Sequence, residues 1–306
     1  MFFDKGFLMK EKGIYLITGT NEPFWPQAEH YIKTINANSN IQNILVTLDF
    51  NINQHGKEKY NEVKFVRLNS EQVKSPNPNY CLQHGAFLQV LDFIPQEDII
   101  IFTDADIKLQ RPFSKTEIIF FKSIAENEIG VNYNRNNSDL LIEEAERLKP
   151  SSPVGDIEKK YPEISTFSTY NTGVIVTKYK TYAQLYYLYN KYWPEFENLF
   201  VSNAKQQWLL SYLINKYFKP VIIPDLIHTH GKYPVDLRVN KESGYKFLID
   251  NELVALNHNI EHPAEYQVNR LNKKIRSLQK RIKNISIILF FVTVLLIFFI
   301  IKNIIH

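Results

Sequence analysis

The segment Ile99–Phe113, IIIFTDADIKLQRPF, constrains the fold of this chain more than any other segment. Its apolar run Ile99 to Phe102 predicts a buried strand of an α/β sheet, because strands covered on both faces read as continuous apolar runs. Two carboxylates, Asp104 and Asp106, follow at the end of the strand, where open α/β sheets bind their ligands. Such oxygen ligands suit Mg²⁺ or Mn²⁺ holding a diphosphate. We therefore predict an α/β fold, and from these residues alone the two acids fit either a metal-assisted site or solvated or capping acids at a turn.

Most of the remaining chain shows the same α/β alternation. Apolar runs predict strands at 13–18, 44–48 and 63–68, and helical patterns predict helices at 25–37 and 80–93. The polar stretch 134–165, which contains three prolines, predicts an excursion or lid over the site. A chain of 306 residues that is 44% hydrophobic can bury the core of one large domain, which we place at 1–266.

The C-terminal part of the sequence differs in kind. Residues 285–301 are 17 residues without charge, and as a helix they would cover roughly 25 Å, near the lower limit for crossing a bilayer. We predict that they form a single-pass membrane helix. A basic stretch, 267–284, precedes it, and the charged N-terminus does not resemble a signal peptide. The positive-inside tendency then predicts a catalytic domain in the cytoplasm.

The basic stretch 267–284 is open to two structural interpretations. Its apolar residues recur at spacings of four and three, which fits either a coiled-coil stalk that forms a homodimer or an amphipathic stalk on lipid head groups. The net charge of +4 is partly local to this stretch, and no nucleic-acid motif accompanies it, so nucleic acid is not a predicted partner. The single cysteine, Cys81, excludes a disulfide within the chain and favours a reducing compartment.

Five blocks of sequence resemble the GT-A glycosyltransferases, specifically the glycogenin-like and lipopolysaccharide hexosyltransferase group and the nucleotide-diphospho-sugar transferases. The first is the D-x-D motif at Asp104 to Asp106, followed by Arg111-Pro112-Phe113. The others are GIYLITGTNEPF from Gly13, YNTGVIVTKY from Tyr170, QQWLLSYL from Gln206 and VALNHN from Val254. The resemblance spans about 13–262 and implies a Rossmann-like, mixed central sheet flanked by helices.

The resemblance also implies a ligand set for Mn²⁺ or Mg²⁺. It assigns direct metal contact to Asp106, metal or ribose contact to Asp104, and the completing ligand to His258. His228, His230 and His262 compete with His258 for that role. The metal would hold a nucleotide-sugar donor, for which a UDP-sugar is expected.

The remaining site residues follow from the same resemblance. The loop at Thr18, Gly19, Thr20 and Asn21 is expected to contact the nucleotide, and Lys232 the phosphates. Asn171 and Gln207 are expected to act at the donor sugar. The sequence departs from the family at Gln206, where an acid is usual, and at Gln83 and His84, where relatives commonly present a basic residue.

We therefore predict a membrane-anchored, metal-dependent hexosyltransferase that transfers a hexose from a nucleotide sugar to a glycan or a lipid-linked acceptor. Two alternatives remain open at this point. One is a nucleotidyltransferase, although no glycine-rich, basic phosphate loop follows the first strand. The other is a non-catalytic, membrane-tethered module that binds a nucleotide sugar or glycan, an alternative kept open by Gln206.

Overall fold

A computed structural model describes residues 10–49, 51, 60–61, 63–69, 86–133, 140–148, 150–200, 205–230, 236–240, 244–249, 252–258 and 275. The chain divides into two compact units, Met1–Ile260 and Glu261–His306. In the second unit, Ile275 is described and is helical. The rest of the predicted stalk, 267–284, and the whole predicted membrane helix, 285–301, lie outside the described residues. Within the described ranges, no helix is both long enough and apolar enough to cross a membrane.

The described residues form thirteen strands and six α-helices. The strands are β1 (Glu11–Asn21), β2 (Ile41–Leu48), β3 (Lys64–Leu68), β4 (Ile99–Thr103), β5 (Ile107–Leu109), β6 (Glu128–Tyr133), β7 (Tyr170–Lys178), β8 (Lys219–Ile222), β9 (His228–His230), β10 (Asp236–Asn240), β11 (Gly244–Ile249), β12 (Glu252–Leu253) and β13 (Leu256–His258). The helices are α1 (Trp25–Asn38), α2 (Lys115–Ser123), α3 (Leu141–Arg147), α4 (Val154–Lys160), α5 (Tyr179–Phe196) and α6 (Lys205–Tyr217). Short 3₁₀ helices span Glu22–Phe24, Ala86–Phe93 and Pro162–Ser165.

Seven strands form a mixed central sheet in the order β3-β2-β1-β4-β7-β6-β8. Strands β1 to β4 are mutually parallel, and β7 runs antiparallel between β4 and β6. Because β6 is antiparallel to β7, it runs in the same direction as β4. The carboxyl ends of β1, β4 and β6 and the amino end of β7 therefore meet at one edge. We call it the catalytic edge, because the sequence analysis predicts the site after β4.

Helices cover both faces of this sheet, which explains why its central strands are apolar throughout. Alternate residues of a strand face opposite sides. Accordingly, Ile100 and Phe102 belong to the core that includes α5 and α6, whereas Ile99 and Ile101 belong to the core that includes α1 and α2. A smaller sheet, β5-β13-β9, contributes Ile107 and other apolar residues to the second core.

The sequence predicted several of these elements correctly. The strands predicted at 44–48, 63–68 and 99–102 are present, as is the helix predicted at 25–37. The first strand was predicted to end at Thr18, but β1 continues to Asn21 because β2 pairs with it that far, from Thr18↔Leu45 to Asn21↔Leu48. The described part of the predicted helix 80–93 is a 3₁₀ helix.

The predicted excursion at 134–165 does lie between β6 and β7, and its described part contains α3, α4 and a 3₁₀ helix. It is attached to the main body by Trp208, whose indole Nε1 donates to the carbonyl of Leu141 at 2.8 Å. Leu141 and Ile157 are also buried in the core on the α5 and α6 side of the sheet. The described part of the excursion is thus packed onto the domain by its own apolar residues.

Candidate active site

The two carboxylates of the D-x-D motif lie at the catalytic edge, just after β4. Asp104 is joined to β7 by a hydrogen bond from its backbone N–H to the carbonyl of Gly173, at 2.9 Å. The N–H of Ile107 then donates to the carbonyl of Asp104 at 3.2 Å, which closes a turn through Ala105 and Asp106. Both carboxylate residues are half-buried. The turn therefore presents the pair at a partly desolvated position, as the sequence predicted for the end of this strand.

The turn leads directly into the small sheet that carries His258. Strand β5 pairs with β13 so that Ile107 is in register with His258, and β13 pairs with β9 so that His258 is in register with His230. The backbone of His258 therefore lies one residue from Asp106 across a strand pair. Residues in register on neighbouring strands lie about 5 Å apart. The fold thus brings together the backbone positions of the predicted metal-binding residues Asp106 and His258.

The donor types at this position suit a divalent cation, since carboxylate oxygens and imidazole nitrogen are both ligands of Mn²⁺. In the part of the chain whose side chains are described, no group of three or more His, Cys, Asp or Glu residues is placed to hold a metal. His258 contributes a described backbone only, and the competitor His262 lies outside the described residues. The competitor His228 is fully buried. The three-residue ligand set remains a prediction.

Tyr186 of α5 is a neighbour of Asp104 that the sequence analysis did not identify. Its side chain is fully buried, and its pKa is raised first by burial and then by the negative charge of Asp104. The ring packs on that of Tyr182, with centroids 4.4 Å apart. The hydroxyl therefore stays neutral and can act as a hydrogen-bond donor near the first carboxylate of the motif. The sequence signal was the run of tyrosines at helical spacing in α5, which also suits an aromatic core.

Asn171 and Gly173 follow the start of β7 and lie beside the D-x-D turn. Asn171 is buried, and its Oδ1 accepts a hydrogen bond from the N–H of Gly173 at 3.0 Å. Asn171 is in register with Asn132 of β6, whose Nδ2 donates to the carbonyl of His228 at 2.7 Å. The side-chain oxygen of Asn171 therefore already accepts a hydrogen bond that stabilises the backbone next to Asp104. Asn132 links this edge to β9.

Gln207 lies at the amino end of α6, and hydrogen bonds between α6 and β7 locate it. The N–H of Tyr170 donates to Ser211 Oγ at 3.0 Å, and the N–H of Ser168 donates to Asn215 Oδ1 at 3.3 Å. Four residues of helix thus match two residues of extended chain, about 6 Å in each case. Gln207 is four residues before Ser211 in the helix, and the same spacing applied once more pairs it with Thr172, two residues after Tyr170. Gln207 is half-buried.

The neighbouring Gln206, which replaces the acid usual in the family, is buried. Its Nε2 has no hydrogen-bond partner among the described residues. A buried amide donor without a partner costs free energy unless a ligand or water satisfies it.

The predicted nucleotide-binding residues occupy the end of β1. Thr18 is fully buried and donates from Oγ1 to the carbonyl of Thr103 at 2.7 Å, which ties β1 to β4. Thr20 is also buried, whereas Asn21 is half-exposed and caps the following 3₁₀ helix by accepting from the N–H of Phe24 at 3.3 Å. Of the three, Asn21 is the most accessible at the catalytic edge. Lys232, Gln83 and His84 lie outside the described residues.

Arg111, from the Arg-Pro element of the motif, forms hydrogen bonds that connect α2 with the segments before β9 and β13. Its guanidinium forms two hydrogen bonds with the carboxylate of Glu117, at 2.8 and 2.6 Å. It also donates to the carbonyls of Leu253 at 2.6 Å and Leu226 at 3.3 Å. The bond to Glu117 raises the pKa of Arg111. Since Leu253 precedes β13 and Leu226 precedes β9, this arginine holds the two strands that carry His258 and His230.

Comparison with known proteins gives structural relatives only. No protein-family profile matches the chain, and no curated protein sequence matches it. Galactosyltransferase LgtC, solved with donor and acceptor sugar analogs, is similar at a TM-score of 0.52 and 12% identity, over 82% of this chain and 88% of that one. A structure of an active-site mutant of LgtC gives a TM-score of 0.51 at 10% identity, over 81% and 88% of the two chains.

Mouse xyloside xylosyltransferase 1 aligns at a TM-score of 0.48 and 10% identity, over 81% of this chain and 98% of that one. The similarity to LgtC, together with the seven-stranded mixed sheet flanked by helices, shows the GT-A fold. The fold predicted for the catalytic domain is thereby confirmed.

Proposed function

We propose that this protein is a metal-dependent glycosyltransferase that transfers a hexose from a nucleotide sugar, expected to be UDP-linked, to a glycan or lipid-linked acceptor. One observation carries the proposal: the turn with Asp104 and Asp106 is hydrogen-bonded to Gly173 on one side and continues on the other into β5, which is in register with His258. The two carboxylates therefore lie between the Asn171 to Gly173 segment of the central sheet and the strand of the smaller sheet that carries His258. LgtC, which shares the fold, has been solved with donor and acceptor sugar analogs.

In this proposal Asp104, Asp106 and His258 hold a Mn²⁺ or Mg²⁺ ion. When bound, such an ion neutralises the diphosphate of the donor and makes it a better leaving group. The negative charge of Asp104 contributes to the raised pKa of Tyr186, and the turn between Asp104 and Ile107 sets the spacing of the two carboxylates. Asn21 is the most accessible candidate for contact with the nucleotide, and Lys232 is proposed to contact its phosphates.

Gln207 is proposed to contact the donor sugar, because it lies one helical turn before Ser211, whose Oγ accepts from the N–H of Tyr170 at the start of β7. Gln206 is proposed to donate from its Nε2 to an oxygen of the same sugar, which would satisfy an amide that is unpaired within the described residues. The proposal includes attachment to a membrane through the helix predicted at 285–301, with the catalytic domain in the cytoplasm. This position would hold the site close to a lipid-borne acceptor.

The test is nucleotide release by the full-length chain, purified in detergent, from a panel of nucleotide sugars with and without Mn²⁺. We expect metal-dependent release from one donor and a loss of at least about 100-fold in Asp106→Asn, which keeps the size of the side chain but removes its charge. Glu146→Gln, at an exposed carboxylate on α3, is the matched control and should behave as the wild type.

The products separate the alternatives. Donor binding without turnover, with any acceptor, would favour the non-catalytic binding module. Release of pyrophosphate when a sugar phosphate and a nucleoside triphosphate are supplied would favour the nucleotidyltransferase. Activity that survives Asp106→Asn and removal of metal would contradict the proposed site.

A further inference from the structure

Tyr133 is a large aromatic side chain that remains exposed at the catalytic edge. It is the last residue of β6, and 42% of its surface is accessible. Because β6 runs in the same direction as β4, Tyr133 lies at the same edge of the sheet as Asp104. An exposed tyrosine alone is common on protein surfaces. Tyr133 differs from most of these in that its ring stacks on a buried tyrosine and lies at the catalytic edge.

The ring of Tyr133 rests on a second, immobilised tyrosine. Tyr133 is in register with Tyr170 of β7, and the two rings are stacked with centroids 5.9 Å apart and planes inclined by 30°. Tyr170 is buried, its N–H donates to Ser211 Oγ at 3.0 Å, and its hydroxyl donates to Asn215 Oδ1 at 3.2 Å. Contacts with α6 therefore fix the ring of Tyr170, and this ring orients that of Tyr133.

The stacked pair lies at the catalytic edge, along β7 from the D-x-D turn. Tyr170 directly precedes Asn171 and is four residues before Val174, which is in register with Thr103 at the end of β4. Four residues of extended chain cover about 13 Å. The pair is thus about 13 Å along the strand from the end of β4, roughly the length of two to three sugar rings, and it lies at the same edge of the sheet as the D-x-D turn.

The chemistry of an exposed ring face suits a pyranose. The face of an aromatic ring is electron-rich and apolar, while the axial C–H groups on one side of a hexopyranose form a weakly positive, apolar patch. A tyrosine also carries a hydroxyl that can hydrogen-bond to a sugar hydroxyl at the rim. Since the ring is already oriented by Tyr170, little side-chain entropy is lost when a sugar stacks on it.

We propose that Tyr133, supported by Tyr170, is the stacking platform for a hexopyranose ring of the acceptor. This inference rests on the proposed glycosyltransferase function and adds to it a residue that determines acceptor specificity and a substrate class, an acceptor whose binding end is a pyranose with an exposed C–H face.

The test measures sugar binding and nucleotide binding separately on the full-length chain in detergent. The sugar probes are methyl β-D-galactoside, methyl β-D-glucoside and lactose, followed by saturation-transfer NMR and titration in the presence of UDP and Mn²⁺. Tyr133→Ala should weaken the best-bound probe about 5- to 10-fold, and Tyr133→Phe should restore binding to within about twofold. Tyr187→Ala removes a tyrosine of α5 that is 64% exposed and should have no effect.

The affinity for UDP and Mn²⁺, measured in the same samples, distinguishes a platform from a structural role. If Tyr133→Ala weakens UDP as much as it weakens the sugar, or if Tyr133→Phe fails to restore sugar binding, the platform is refuted. Absence of binding by all three probes to the wild type also refutes it. If the wild type binds a probe in a Tyr133-dependent way but binds no UDP, the sugar platform stands and the UDP-linked donor of the proposed function is contradicted.

Discussion

Replacing Arg111 with methionine is expected to destabilise the protein more than any surface charge change. The arginine side chain is 24% exposed and its partner Glu117 is 8% exposed, so the ion pair is largely removed from water. Methionine retains much of the aliphatic volume but removes both hydrogen bonds to Glu117 and those to Leu253 and Leu226. The change leaves a nearly buried carboxylate without its cation.

The magnitude follows from the geometry. Removing one partner of a fully buried ion pair costs about 3–5 kcal/mol, and a single hydrogen bond to a charged group contributes about 1.5–3 kcal/mol. Arg111 is about a quarter exposed, and Glu117 keeps the hydrogen bond from the N–H of Ser114 at 2.7 Å, which both reduce the loss. We therefore expect a loss of about 2–3 kcal/mol. For a domain of this size that corresponds to a Tm lower by about 5–10 °C.

The assay is thermal unfolding of the full-length chain in detergent, with two comparison variants. Arg111→Lys keeps the charge but cannot form the paired hydrogen bonds, and should lose about half as much stability. Lys159→Met breaks an exposed pair with Asp156, whose side chains are 82% and 56% accessible, and should change Tm by no more than about 2 °C. A Tm for Arg111→Met within 2 °C of that for Lys159→Met would refute the reasoning.

Two further predictions concern single side chains. Tyr186→Phe removes the neutral hydroxyl near Asp104 while it keeps the ring packed against Tyr182. It should weaken Mn²⁺-dependent UDP binding about 3- to 10-fold with little change in Tm. Calorimetric titration checks this, and an unchanged affinity would contradict the assignment. Lys216 donates a hydrogen bond to Glu163 at 2.6 Å and lowers the pKa of that carboxyl. The stability that Glu163 contributes is therefore fully present above its unfolded pKa of about 4.3. It is lost as the pH falls through the lower native pKa. Glu163→Gln should therefore lower Tm at pH 6 and flatten the decline between about pH 5 and pH 3; parallel Tm profiles for the two proteins would contradict the linkage.

The sequence alone predicted those parts of the fold that local patterns control. The run Ile99 to Phe102 had to be a buried strand, because four consecutive apolar residues before two acids leave no solvent-facing side. The helix at α1 followed from its apolar periodicity. The end of β1 was placed three residues too early, because its extension to Asn21 depends on β2, a partner that a single strand's sequence does not specify.

The tertiary structure alone decided how the site residues come together. Asp106 and His258 are more than 150 positions apart, and the register of β5 with β13 makes them neighbours. Arg111 is a second case: the sequence presented it as part of a motif, and in the structure it bonds to Leu253 and Leu226, which precede the strands of His258 and His230. Tyr133 is a third, because its stacking on Tyr170 depends on the pairing of β6 with β7. Residue type and local periodicity determine which chemistry is available, whereas strand pairing between distant segments determines which of those residues meet.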